Sequence, residues 1–283
     1  MSSEKPITFI SCGQFTESER QLGRRITEIV DASGVFRAYF AENQSSFQGV
    51  TRNIFAQLYN CFGLICVMHD RGTVSSPHGE STTRASVWVE QEIAIAAFLA
   101  EVLNRDVKTR VYVKRGINRE GVRDKVIINP KEFEVDEEIL TDLPAIIREW
   151  AQLFALEKER FTDLLERLGI QFRYNREILS LDLSNFTPVF YDQLLEIVKS
   201  GEIERFEAET KASLKRVYLD LTNYDSHLRR IESIPNYSNR MSEVGIFLSP
   251  AKAAARESVD AAIQLIEQQL SNASENPSGA NED

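Results

Sequence analysis

Cysteine and histidine are both scarce, three of each in 283 residues: Cys12, Cys61, Cys66 and His69, His78, His227. Structural zinc needs ligands at close spacing, and these residues do not supply it, so no metal site is expected. Three thiols suit a reducing compartment rather than a disulfide framework. No stretch reaches the roughly 18 apolar residues of a membrane-crossing helix, and "MSSEKPITFISCG" lacks the basic start and long apolar segment of a secretion signal. The expectation is a cytoplasmic protein with no membrane partner. Positive charge is also in deficit: 33 Lys and Arg against 43 Asp and Glu give a net charge of −10. That balance repels polyphosphate, so no direct nucleic-acid partner is expected. Neither G-x-G-x-x-G nor G-x-x-x-x-G-K-[ST] occurs, which removes the dinucleotide fingerprint and the P-loop.

What is present is enough apolar residue, 42% of the chain, for one large core or two ordinary ones. The first half alternates periods. "ITFISC" (7–12) reads as a strand. "TESERQLGRRITEIVDASG" places Leu22, Ile26, Ile29 and Val30 at helical spacing and stops at Gly34. "VFRAYFA" is a second strand, "NIFAQLYNCF" a short helix, "GLICVMH" (63–69) a buried third strand. A polar loop, "DRGTVSSPHGESTTRA", leads to the helix "SVWVEQEIAIAAFLAE", and "TRVYVKR" (109–115) is a fourth strand. Strands alternating with helices at this spacing predict right-handed crossovers, hence a doubly wound parallel sheet covered on both faces, over residues 1–155.

Residues 156–270 read as a mainly helical module. A long helical pattern runs from Leu143 to Gly169, and "IQFRYNREILSLDLSN" allows a small hairpin. A helix follows Thr187 and Pro188 and ends before Gly201, another spans about 202–232, and the last opens at Ser249 and Pro250. Residues 271–283 lack apolar periodicity and read as a disordered tail.

A parallel α/β sheet binds ligands beyond the carboxyl ends of its strands. The candidates are therefore Gly13 and Gln14, the run from Glu42 to Ser46, Asp70, Arg71 and Gly72, and, at the head of the following helix, Trp88 and Glu92. On that helix Val89, Ile93, Ala96 and Ala100 share a stripe expected to face the sheet. Trp88 and Glu92, four apart, lie on its border near the helix start. A carboxylate beside an indole there is placed to face a substrate; the plainer alternative is that Glu92 favours the helix dipole and Trp88 seals the core.

Phe9, Ile10 and Ser11, then a loop glycine at Gly49, then Trp88 to Glu92 as W-x-x-x-E, follow an order and spacing that resemble Toll/interleukin-1 receptor (TIR) domains. The resemblance covers about the first 150 residues and implies a TIR-like, flavodoxin-like fold. In TIR domains that are enzymes the glutamate of this motif cleaves the nicotinamide–ribose bond of NAD, which implies Glu92 as catalytic residue, NAD as substrate rather than cofactor, and completion of the site by self-association into a homo-oligomer. In a microbe such an enzyme would be a defence effector. "EIAIAAF" is similar also to nucleoside deoxyribosyltransferases, which place a glutamate at the head of a helix of small residues.

The chemistry suits one carboxylate. Breaking an N-glycosidic bond builds positive charge on the ribose, which a carboxylate stabilises more in the transition state than in the ground state. Nicotinamide already carries its charge, so no flanking acid of the glycosidase kind is needed. Candidate substrate contacts are Phe9, Ser11, Cys12, Phe47, Arg71 and Trp88. Trp88 would pack under the ribose or brace Glu92. Arg71 would meet a phosphate or be a solvated loop residue. Phe47 stands in for a stacking aromatic where the chain has Val50, and Cys12, Gly13 and Gln14 occupy positions where TIR enzymes often carry a basic or aromatic residue. Asp70 reads as a turn residue, Cys12 as a strand-end cysteine with no base beside it, and His69 as structural. The other readings are a non-catalytic TIR-like scaffold and a nucleoside or nucleotide sugar transferase. The helical module is open to a regulatory partner.

Overall fold

The computed structural model describes residues 5–41, 47–75, 81–102, 105, 107–117, 130–181 and 187–274. These fall into two compact units, one ending at Ala155 and the other beginning at Leu156.

The first unit runs β1 (Ile7–Cys12), α1 (Glu17–Ala32), β2 (Arg37–Phe40), α2 (Phe47–Asn60), β3 (Cys61–Met68), β4 (Thr73–Ser75), β5 (Ser81–Thr83), α3 (Val87–Glu101), β6 (Lys108–Lys114) and β7 (Lys131–Phe133), followed by the start of α4 (Asp136–Ser180). Five strands form one sheet in the order β2-β1-β3-β6-β7, and every neighbouring pair is parallel. Central β3 is apolar along almost its whole length because both its faces are covered. Alternation along the strands divides the core. Phe9, Leu64 and Cys66 face Leu58 of α2 and Val89, Ile93 and Ala96 of α3. Ile10, Ile65 and Val67 face Leu22 and Ile26 of α1 and Leu143 and Ile147 of α4. The sheet is thus doubly wound.

One glycine is dictated by this packing. The β1–β3 register slips at Phe62, so that Ile7 pairs with Cys61 and Thr8 with Gly63, and the Trp150 ring of α4 occupies the space that a Cβ on residue 63 would need. The polar loop expected after β3 instead holds an antiparallel hairpin, β4 with β5, built on Thr73, Val74, Thr82 and Thr83, whose branched side chains favour extended backbone. The edge strand β7 has only three residues, too short for a periodic signal.

The second unit comprises the rest of α4, α5 (Asp192–Ser200), a 3₁₀ turn (Glu202–Arg205), α6 (Ala208–Glu232), α7 (Tyr237–Glu243), a π turn (Val244–Leu248) and α8 (Ser249–Ser274). Its core gathers Leu165, Leu168, Phe172, Leu214, Leu221, Val259 and Ile266. Helix α4 does not stop at Gly169, and residues 170–180 are helical rather than a hairpin. Leu165, Leu168, Phe172 and Leu179 recur at helical spacing and are all buried, which outweighs the roughly 1 kcal/mol that an interior glycine costs. Helix α5 starts at Asp192, beyond Pro188, because the Phe190 N–H is held by Asn175 Oδ1 at 2.8 Å. Gly201, at φ +79°, ends it as expected. The expected 202–232 helix is broken at Phe206 and Glu207. Ser249 and Pro250 do not open a capped helix: α7, the π turn and α8 are continuous, and the wider turn precedes the proline that has no N–H to donate. Among the described residues no helix is long and apolar enough to cross a membrane, and no group of three or more His, Cys, Asp or Glu could hold a metal ion. Residues 275–283 lie outside the described residues.

Candidate active site

Strand order reverses between β1 and β3, and a crevice opens there past the carboxyl ends of the strands. It is a cleft of about 760 Å³. Ser11, Cys12 and Gly13 reach it from β1, Arg71 from the turn after β3, Trp88 and Glu92 from α3, and Ile54 and Phe55 from α2.

Glu92 sits in the second turn of α3, whose N-cap Ser86 makes no side-chain capping bond. The helix buries Val89, Ile93, Ala96 and Leu99. The expected Ala100 is exposed, and Leu99 replaces it because the larger side chain removes more apolar area from water. That stripe turns Glu92 toward β1, where it accepts a hydrogen bond from Ser11 Oγ. Ser11 is only 3% exposed and pairs in register with Cys66 of β3. Burial pushes the Glu92 carboxyl up to about 7, against the opposing pull of the Ser11 bond. Near neutral pH the group is therefore divided between acid and carboxylate.

Trp88, one turn earlier, is 65% exposed and lines the cleft. The reading of Trp88 as a seal on the core is overturned: it lies off the Val89–Ile93 stripe, and its indole is left open to solvent. Phe9 is 1% exposed and packs against Tyr39 at 5.3 Å between ring centres, so it forms the floor of the cleft rather than a free stacking surface.

A second group of charges lies against Gly13. Arg71 grips Glu19 with both terminal nitrogens, Nη2 to Oε2 at 2.8 Å and Nη1 to Oε1. Glu19 Oε2 also accepts from the backbone N–H of Phe15 (2.8 Å) and Thr16 (3.1 Å), and the Thr16 side chain caps α1 in return. Burial alone would raise the Glu19 carboxyl, but the Arg71 bond and these N–H groups outweigh it and hold it below the usual carboxylate value. Arg71 is no solvated loop residue: its side chain is 21% exposed and lies 5.6 Å from the centre of the Phe15 ring. His69 bridges toward this group, Nδ1 3.7 Å from Glu19 Oε1 and Nε2 3.3 Å from Asp136 Oδ1. Asp70 accepts from the Gly72 N–H at 2.6 Å in a turn where Gly72 has φ +100°.

Cys12 is buried, its thiol pushed up to about 12 chiefly by burial; Cys61 behaves alike and Cys66 lies well above the usual range. All three are neutral thiols at neutral pH, unsuited to nucleophilic attack. The structure thus brings Phe9, Ser11, Cys12, Arg71, Trp88 and Glu92 to one cleft. The Phe47 side chain and the run from Glu42 to Ser46 lie outside the described residues. Sequence reasoning passed over Glu19, Phe15, Phe55 and Gln91. The T-x-x-E of Thr16 to Glu19 was a readable capping signal, whereas the partnership of Glu19 with Arg71, 52 residues on, had no local sign.

One carboxylate, held by a buried hydroxyl at an apolar cleft with an open indole beside it, can stabilise a developing cation on a flat, partly apolar substrate. No family model matches the chain, and no curated protein matches it in sequence.

Proposed function

We propose that the protein is an NAD glycohydrolase in which the Glu92 carboxylate stabilises the cationic ribose as nicotinamide departs. The observation that carries this reading is the Ser11–Glu92 contact inside the cleft at the strand-order reversal. Glu92 is placed where a sugar can meet it, and Ser11 favours its charged form. The positive nicotinamide ring is a leaving group that needs no proton, so the carboxylate has only to interact more strongly with the transition state than with the bound substrate. Trp88 offers a surface for a ribose or base, and Phe55 and Phe15, 48% and 82% exposed, continue the apolar rim. Those exposed aromatics support self-association at the cleft mouth as the active form. In a microbe the result would be depletion of NAD, the action of a defence effector, with the helical unit as the place where a partner sets the timing.

The test is incubation of concentrated protein with NAD, with and without a crowding agent, following nicotinamide release beside Glu92→Ala. Release that is lost in the variant supports the reading; no release from either protein under any condition rejects it. A nucleoside sugar transferase is the second reading, favoured by the raised Glu92 carboxyl: near neutral pH it holds a proton that a departing purine or pyrimidine would need. Base release from nucleosides, with NAD left intact, would select it.

A further inference from the structure

The buried hydroxyl beneath Glu92 carries the inference furthest. Among the described residues, Ser11 Oγ is the hydrogen-bond donor to Glu92. Its own position is fixed: Ser11 lies on β1 in register with Cys66 of β3, one residue past the end of the β1–β2 pairing, and is 3% exposed. A hydroxyl fixed in a sheet and aimed at a carboxylate on a neighbouring helix stabilises the charged form through one bond and defines which oxygen of the carboxylate remains for the substrate.

We propose that Ser11 is a positioning residue for the reaction assigned above: it holds Glu92 oriented and ionised, and does not itself contact the substrate. The inference rests on the glycohydrolase reading for its consequence in rate, but not for its consequence in ionisation. It replaces the expectation that Ser11 binds substrate, because a hydroxyl this deeply buried is already engaged by Glu92 and Cys66. The surroundings leave Ser11 as the lever. Cys66, across the β1–β3 register, shares a hydrogen bond with the Ser11 hydroxyl but stays a neutral thiol, pushed up by burial and by the Glu92 charge, and Cys12 points to the opposite face of the sheet, with Ile10. Arg71 reaches the same cleft but is bound to Glu19, and Glu90 lies on the helix itself, two residues before.

The test is Ser11→Ala, with Ser11→Thr as the conservative variant that keeps the hydroxyl. Two quantities are read on the full chain. The first is the titration of the Glu92 carboxyl carbon by NMR in glutamate-labelled protein, assigned with Glu92→Gln. Loss of a hydrogen bond to the charged form is expected to move this titration upward by about one pH unit, tenfold in the ionisation constant. The second is the pH profile of NAD cleavage. A tenfold change in ionisation costs Ser11→Ala about tenfold in rate at pH 6 and less than about twofold at pH 9. Ser11→Thr retains the parent profile. An unmoved titration overturns the inference whether or not NAD is cleaved, and so does a rate loss equal at both pH values, which is the signature of damaged packing or lost substrate contact. A titration that moves in a protein whose parent form never cleaves NAD supports the Ser11–Glu92 link and rejects the glycohydrolase reading alone.

Discussion

Arg71 and Glu19 are locked together by two hydrogen bonds against Gly13, in the space that a side chain at position 13 would require. The pair ties the turn after β3 to the first turn of α1, and so fixes one side of the cleft. Arg71→Met removes the cation and leaves Glu19, 5% exposed in its side chain, without its main partner. The expected cost is about 1–2 kcal/mol, below that of a fully buried pair because Arg71 retains some solvent. The pH dependence has a definite sign. Glu19 is depressed in the folded state, so its contribution is present above its ordinary value of 4.5 and lost as pH falls through the lower folded value. Thermal melts of parent and Arg71→Met should differ most at pH 6–7 and converge in acid; a gap that widened on acidification would contradict the assignment. Gly13→Ala should reproduce part of the effect by displacing the guanidinium.

Glu92 has the opposite sign. Its folded value of about 7 lies above its ordinary value of 4.5, so its favourable contribution is complete below 4.5 and is lost as pH rises through 7. Glu92→Gln, which cannot ionise, should therefore be more stable than the parent at pH 8, by about 3 kcal/mol, and level with it at pH 4. The same variant should lower nicotinamide release by at least about 100-fold, the usual loss when a charge-stabilising group is removed. Cleavage by the parent should climb through pH 7 as the carboxylate forms. Stability gained together with activity lost marks a group kept for chemistry, whereas a variant less stable at pH 8 would return Glu92 to a structural role.

The parts of this arrangement that were legible in the chain are those fixed by short-range patterns. The apolar run ITFISC, the capped helix after Thr16 and the continuous apolar stretch before His69 define β1, α1 and β3, and a parallel sheet then dictates where ligands bind. Glu92 could be named as a candidate for that reason, and Ser11 only because Phe9, Ile10 and Ser11 resemble the opening of TIR domains. Their contact could not, because it spans 81 residues and depends on the rotation of α3, which Leu99 rather than Ala100 sets. The same limit hid the junction of Arg110, Tyr112 and Lys131 on Asp142, which joins β6 and β7 to α4. In the helical unit the misreadings came from trusting glycine and proline as punctuation: Gly169 and Pro250 both lie within continuous helix, where packing of Leu168, Phe172, Ala251 and Ala255 decides.

Asn175 offers a test inside that unit. It is fully buried on α4, donates to the Phe190 carbonyl and accepts the Phe190 N–H at 2.8 Å, and so pins the segment that leads into α5. Asn175→Ala leaves both backbone groups of Phe190 without these partners, at an expected cost of about 2–4 kcal/mol. Urea unfolding read by a probe in the helical unit measures it. A loss under about 0.5 kcal/mol, the ordinary effect of a surface change, would show that Phe190 finds other partners.

Trp88 separates binding from folding. A tryptophan 65% exposed contributes little to the core, so Trp88→Ala should change the melting temperature by less than a core truncation would, within about 0.5 kcal/mol in stability. Its ring lines the same cleft as Glu92, so a substrate held against it gains an aromatic contact of about 0.5–1.5 kcal/mol. Removing it should raise KM for NAD by roughly two- to tenfold while leaving kcat nearly constant, because a surface that holds bound substrate and transition state alike contributes only uniform binding. Trp88→Phe, which keeps a ring face, should recover most of the affinity. If kcat fell with KM unchanged, Trp88 would act through Glu92, and the bracing role would stand in place of the ribose platform.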